Sequence, residues 1–365
     1  MDIKEIEIKR NKLLKLIEIK NISGILLSKK WNFRWFTGGH DNNVVRTEDS
    51  SSVYLYINKS GNYLIATKSD AGRVFYEELN EFGFQLILYK WYDENIEDVI
   101  KNISGNSLVG CDYDNNIFMN LEDDLAKLRI DLTDYEVNKI KEFSKDYSNI
   151  LTDFCLKLKT GLNEKKIADN LEYFFKNYNI NFPVLMVGSD DRIYKFRHPI
   201  ATDKKVKKYL LIATVAEKFG LHISISRSVY FGKVPKELQK KQEIVNLLEA
   251  KLCFNTLPGI MLKDLFKIGK NFYKELGYPD EWQNHTLGGI VGYKPREFLI
   301  NALNTIKINK NNIISWNPTI NGAKAEDTIL VEENKISQLT IDKRWPCSEY
   351  HIDNMIFFKP KILEL

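Results

Sequence analysis

Several side chains in this sequence could do chemistry. They are a histidine before a proline, His198-Pro199, and a second histidine leading into a glycine-rich run, His285-Thr286-Leu287-Gly288-Gly289-Ile290-Val291-Gly292-Tyr293. The pair Arg296-Glu297 follows, and then Glu326, which stands after Gly322-Ala323-Lys324-Ala325 at the head of an apolar stretch. An imidazole with a pKa of about 6.5 can take and return a proton at neutral pH. A guanidinium grips a carboxylate through two parallel hydrogen bonds, which an ammonium cannot copy. A carboxylate in an apolar strand is costly unless paired or used. Glu326 therefore either pairs with Lys324 or Arg227 or belongs to a site. Arg296 has the same choice between Glu297, Glu326 and a ligand, and His198 between a surface cap and a proton shuttle. Gly288, Gly289 and Gly292 suit a tight turn with close backbone approach. No strand-glycine-helix order surrounds them, which argues against a phosphate cradle. His222 reads as a structural histidine, His40 as a solvated loop histidine, and Tyr293 as a core ring or as a hydroxyl offered to a ligand.

Composition bounds what such a site could serve. The chain has 365 residues, 44% of them hydrophobic, enough for two domains with substantial cores. Its net charge of +4 is too small and too evenly spread to imply a nucleic-acid partner, and the lysine runs at 204–208 and 236–241 read as solvated faces. No apolar run approaches the roughly 20 residues of a membrane span, and the first ten residues lack an apolar signal core. A soluble cytoplasmic protein is expected. Cys111, Cys155, Cys253 and Cys347 lie far apart with no metal-ligand spacing, so buried free thiols are expected rather than disulfides or zinc.

The elements that must position these groups follow from periodicity. A helix over 4–20, a strand over 22–27, an aromatic loop over 31–40, and strands over 52–58, 63–67, 85–89 and 107–112 alternating with helices over 71–82 and 96–103 make a mixed α/β domain ending near residue 131. Thr133-Asp134-Tyr135-Glu136 is a capping signature opening a long helix to about residue 159, and a second helix runs from about 163 to 178. A strand over 182–187 precedes a long hairpin over 209–232, whose charged turn closes at Gly220. Helices over 236–255 and 261–276 and strands over 311–317 and 326–332 complete the chain. Helices, hairpin, helices, hairpin is the order of two similar αββ halves, with a site between them.

Several ordered motifs together resemble the pita-bread superfamily of creatinase, Xaa-Pro aminopeptidase, prolidase and methionine aminopeptidase. They are Trp31 to Gly39, Thr133 to Glu164, His198-Pro199, the glycine-rich run from His285, Trp316-Asn317-Pro318, and Gly322 to Thr328. The resemblance implies an α+β chain, with a creatinase-like α/β domain over 1–131 and a pita-bread domain over 132–365. It also implies a homodimer, in which His40 could reach a partner's pocket. Most members hold two divalent metals with two aspartates, a histidine and two glutamates. Carried over residue by residue, these positions fall on Ala213, Ser224, Gly289, Asn317 and Glu326, of which only Glu326 keeps a carboxylate. Hard divalent ions need several anionic oxygens, so neither metal nor other cofactor is expected. Creatinase splits a C–N bond without metal, using a histidine and carboxylate-clamping arginines. His198 and the Arg296-Glu297 pair resemble those groups, although Asn317 departs from creatinase's glutamate. The expected function is metal-independent C–N hydrolysis of a small zwitterionic or carboxylate-bearing compound. In that reading His198 is the acid/base, Arg296 the clamp, Glu326 the group that orients water or a cationic moiety, and His285, Tyr293 and Asn317 line the substrate site. The alternatives are an Xaa-Pro metallopeptidase acting on short peptides and a non-catalytic binding protein.

Overall fold

The computed structural model describes residues 3–365, which separate into two compact units, one ending at Arg129 and the other over Ile130–Leu365. In the first, strands Gly24–Lys29, Ser50–Asn58 and Gly61–Ala66 form an antiparallel centre. Phe84–Leu88 and Gly110–Cys111 flank it in parallel, with Met119–Asn120 at the far edge. Helix Ile3–Lys20 buries Leu13, Leu16 and Ile17. The aromatic stretch expected to be a loop is instead a helix, Lys30–Thr37, with Phe33, Trp35 and Phe36 fully buried. Gly38 ends it at φ 68°, and its N–H and that of Gly39 donate to the Trp35 and Arg34 carbonyls, which is how a left-handed glycine cap satisfies the last turn. His40 pairs with Glu78 at 3.0 Å in this unit.

The second unit starts with helix Asp134–Cys155. Its capping box is complete: the Glu136 N–H donates to Thr133 Oγ1 at 3.2 Å, and the Thr133 N–H donates back to Glu136 Oε2 at 2.9 Å. Helix Glu164–Lys176 and strand Asn181–Ser189 follow. The long hairpin comes next, with strands Tyr209–Lys218 and Leu221–Tyr230 paired along their whole length. Its two-residue turn, Phe219 at φ 58° and Gly220 at φ 77°, has the double left-handed geometry that matches strand twist. Because side chains alternate along strands, Ala213, Ser224, Ser226 and Ser228 share one face of the hairpin.

Helices Lys236–Phe254 and Leu262–Glu275 repeat the pattern. They precede a five-stranded antiparallel sheet ordered Phe298–Leu299, Gly288–Val291, Ile313–Trp316, Asp327–Val331, Ile336–Gln338. The expected pair of long strands is shorter than anticipated, because a separate ribbon, Thr319–Ile320 with Ala323–Lys324, turns at Gly322. Helix pair plus strand pair, twice, is the pita-bread architecture. The hairpin edge joins the second sheet through the Ser226 N–H to the Glu326 carbonyl and through Thr328 Oγ1, which accepts from the Ser224 N–H and donates to its carbonyl, each at 2.9 Å. Among the described residues no helix is long and apolar enough to cross a membrane.

Candidate active site

The second unit brings most of the singled-out residues together around Glu326. Glu326 is 5% exposed and faces two cations: Lys324 Nζ stands 3.4 Å from Oε2 and Arg296 Nη2 3.6 Å from Oε1. Lys324 ends the ribbon strand Ala323–Lys324, and Glu326 stands two residues on, in the short link before strand Asp327–Val331. Burial lowers the pKa of Lys324, and Glu326 counteracts the shift; Arg296 is lowered for the same reason. Arg227 instead pairs with Asp327 at 3.0 Å and donates to the Thr340 carbonyl, so it is not the partner of Glu326.

Arg296 lies across the strand that carries the glycine run. Its Nη1 donates to Ser224 Oγ at 3.2 Å and to the Pro295 carbonyl at 2.9 Å. A Cβ at Gly289 would collide with the Phe298 carbonyl of the neighbouring strand and would stand 3.2 Å from Arg296 Cδ, so the close strand pairing is what requires glycine there. Gly288, at φ 146°, is held against the backbone of Ser315 and Trp316.

The two histidines form a pair, Nε2 to Nε2 at 3.0 Å, with rings 4.9 Å apart at 63°. His285 Nδ1 lies 2.7 Å from the Thr286 carbonyl, which can only accept, so its proton sits on Nδ1. Burial and the positive charge of Lys324 hold the His285 pKa down at about 3, which keeps that ring neutral. Its Nε2 lone pair must then accept from His198 Nε2–H, leaving His198 Nδ1 as the basic atom. Burial also lowers the pKa of His198, with Lys324 adding to the shift and Glu326 opposing it.

Tyr293 corrects an expectation. It is 3% exposed and its hydroxyl donates to Glu136 Oε1 at 2.6 Å, closing onto the capping box rather than facing a ligand. His222 is buried with Nδ1 3.0 Å from the Gly292 carbonyl, a structural role. Asn317 is 5% exposed, and its Oδ1 has no hydrogen-bond partner among the described residues.

Sequence reasoning did not assign Lys324 to the site, nor Ser226 and Gln242. The lysine's signal was its i, i+2 spacing from Glu326. Ser226 shared a strand face with Ser224, but nothing local marks Gln242. With Lys324 and Glu326, these two line a cavity of about 10 Å³, the size of one water. Ser226 Oγ and Gln242 Oε1 have no partners among the described residues.

Whether such a site could hold paired divalent ions is decided by its donors. Ala213 and Gly289 offer no side-chain donor, Ser224 a neutral hydroxyl and Asn317 a neutral amide, while Glu326 is already paired with two cations. No cluster of three or more His, Cys, Asp or Glu able to hold a metal occurs among the described residues. The residues present do not fit a dinuclear centre.

The fold is that of the pita-bread class, and comparison with known proteins agrees. Residues 138–333 match Metallopeptidase family M24 and residues 9–141 match the Creatinase/Prolidase N-terminal domain, so the chain belongs to family M24, a family of peptidases. It is 27% identical over 241 residues to an uncharacterised peptidase of Staphylococcus saprophyticus, a match spanning 61% of this chain and 66% of that protein, just short of two thirds of the relative's length. It is 23% identical over 360 residues to an Xaa-Pro dipeptidase of Pyrococcus furiosus, covering 91% of this chain and 97% of the other. The fold superposes on a prolidase from Thermococcus sibiricus with a TM-score of 0.78 over the full length of both chains, at 18% identity.

Proposed function

We propose that this chain hydrolyses a C–N bond in a small carboxylate-bearing compound, and that it does so with its own side chains. Short peptides of the Xaa-Pro class are the leading substrates, because a relative carrying the name Xaa-Pro dipeptidase matches over 91% of the chain. The observation that carries the reading is the Arg296–Glu326–Lys324 cluster, two buried or half-buried cations against one carboxylate, which leaves one positive charge for a ligand to neutralise. The five positions Ala213, Ser224, Gly289, Asn317 and Glu326 are, in this proposal, those at which relatives hold metal.

In the reaction, Arg296 and Lys324 fix the substrate carboxylate or the oxygen on which charge develops. His198 Nδ1 removes a proton from water as the oxygen bonds to the carbonyl carbon, then returns it to the leaving nitrogen as the C–N bond breaks. His285 holds the His198 tautomer by accepting its Nε2 proton, and the water-sized cavity beside Glu326 gives water a place next to the site. A homodimer, implied by the resemblance, and a cytoplasmic setting, expected from the composition, belong to the same proposal.

The test is product analysis by mass spectrometry on Gly-Pro and Ala-Pro with EDTA present. Cleavage that survives EDTA and disappears in His198→Ala supports the proposal. Cleavage that requires added Mn²⁺ or Co²⁺ contradicts it and restores the metallopeptidase reading. A binding protein without catalysis is a second reading, favoured by how fully Glu326 is already engaged. It would stabilise the chain thermally with the dipeptide and release it intact.

A further inference from the structure

Helix Lys236–Phe254 carries Gln239, Gln242, Glu243 and Asn246 at the i, i+3, i+4, i+7 spacing of a single helix face, and all four are polar. That face lines a cleft of about 370 Å³ against the last residues of the chain, a volume within the ~300–1,000 Å³ of small-molecule sites. Its walls are held in place by the protein itself. The Asn246 amide donates to the Pro360 carbonyl at 2.8 Å, the Trp345 indole to the Lys361 carbonyl at 2.9 Å, and the Lys361 N–H to the Pro346 carbonyl at 2.8 Å. Val234, Ile362 and Leu363 give the cleft an apolar side.

The polar side carries both signs of charge. Glu364 is answered by Lys233 and by the Val234 N–H, each at 2.9 Å. Glu243 accepts from the neutral Gln239 amide at 3.2 Å, and among the described residues neither Glu243 nor Lys361 has an ion-pair partner. Opposite charges that line one cleft without meeting suit a ligand that carries both. Gln242 and Asn246 also line the water-sized cavity beside Glu326, so the two spaces adjoin. Gln242 is 6% exposed, and its Nε2 donates to Asn246 Oδ1 at 3.0 Å and to the Lys324 carbonyl at 3.1 Å. Its Oε1 accepts from nothing among the described residues, a costly state for a buried acceptor that a ligand N–H would relieve.

We propose that this cleft is a second ligand site, one that binds a free aliphatic α-amino acid as its zwitterion. The ammonium is taken by Glu243 and Gln242, the carboxylate by Lys361, and the side chain lies against Val234, Ile362 and Leu363. None of His198, His285, Arg296 and Glu326 lines the cleft, so its occupancy requires no turnover.

Calorimetric titration of the full chain with L-leucine, 3-methylbutylamine and 4-methylpentanoate tests this, the last two being leucine without its carboxylate and leucine without its ammonium. The expected result is saturable binding of one leucine per chain, at least tenfold tighter than either half. Glu243→Gln and Lys361→Met change exposed side chains, so both variants should keep the parent melting temperature, and each should weaken leucine at least fivefold. Arg296→Gln should leave leucine affinity within twofold of the parent. No saturable leucine binding, a half-ligand that binds as tightly as leucine, or leucine affinity untouched by both cleft variants would overturn the proposal. Affinity that survives the cleft variants and is lost in Arg296→Gln would overturn it too, by placing the amino acid beside Glu326 instead.

Discussion

Replacing Glu326 by glutamine separates two effects that most substitutions confound. It leaves Arg296 and Lys324 without their shared anion in a largely buried place, so the fold should lose about 3–5 kcal/mol, measured by chemical denaturation. The same change adds to the positive excess, so a carboxylate ligand should bind at least as tightly as to the parent while turnover falls. His198→Ala should lower kcat by about 10²- to 10⁴-fold with little change in KM, because it removes proton transfer and leaves the carboxylate clamp in place. The acid limb of kcat/KM should lie below the ordinary histidine range. His198 acts as a base only when neutral, and burial together with Lys324 lowers its pKa. His198, Arg296 and Glu326 stood out in the sequence chiefly through their places in the motifs that resemble the family. Lys324 was legible only as a pairing partner. Its place in the site depends on the ribbon at Gly322 folding it back toward the hairpin, which no local pattern encodes.

At the scale of elements, the helix opened by Thr133 is the best test of sequence-encoded structure in the second unit. Thr133→Ala removes the acceptor for the Glu136 N–H and should destabilise this unit by about 0.5–2 kcal/mol in thermal or urea unfolding. Gly288→Ala is expected to cost more. A side chain there collides with the Ser315 carbonyl and lies 3.0 Å from Trp316 Cα, at a φ of 146° that L-residues avoid. The expected outcome is a lowered melting temperature and a weakened strand pairing with Ile313–Trp316. The hairpin could be read from sequence because its apolar run, its glycine turn and its alternating second strand agree at every level. The helix Lys30–Thr37 could not, since its aromatic residues beside two glycines carry the composition of a loop. Burial of Phe33, Trp35 and Phe36 decides the matter against local preference. Tyr293 failed for a related reason: its hydroxyl is directed by Glu136, 157 residues away, a contact that only the tertiary fold creates.

For the molecule as a whole, the half-buried His285 sets a pH dependence of stability. His285 has a folded pKa of about 3, below the ordinary value of about 6.5 that it regains on unfolding. Its contribution is therefore fully present above about pH 6.5 and is lost as pH falls toward 3, because the unfolded chain takes up a proton that the folded one refuses. His285→Asn should flatten the stability profile over that window, measured as urea midpoints between pH 7 and pH 4. A profile unchanged by the substitution would place the acid sensitivity elsewhere. Family membership fixes the architecture and the general class of chemistry, and the charges around Glu326 set what the site can hold. In that inventory, one buried carboxylate faces two cations supplied by the polypeptide.

A crystal structure of the chain grown with Gly-Pro in the presence of MnCl₂ tests this most directly. The expected density is a carboxylate within hydrogen-bonding distance of Arg296 and Lys324, with His198 Nδ1 turned toward the scissile nitrogen and no anomalous manganese signal. Two manganese peaks near Ser224, Asn317 and Glu326, with Arg296 swung away from Gly289, would contradict it.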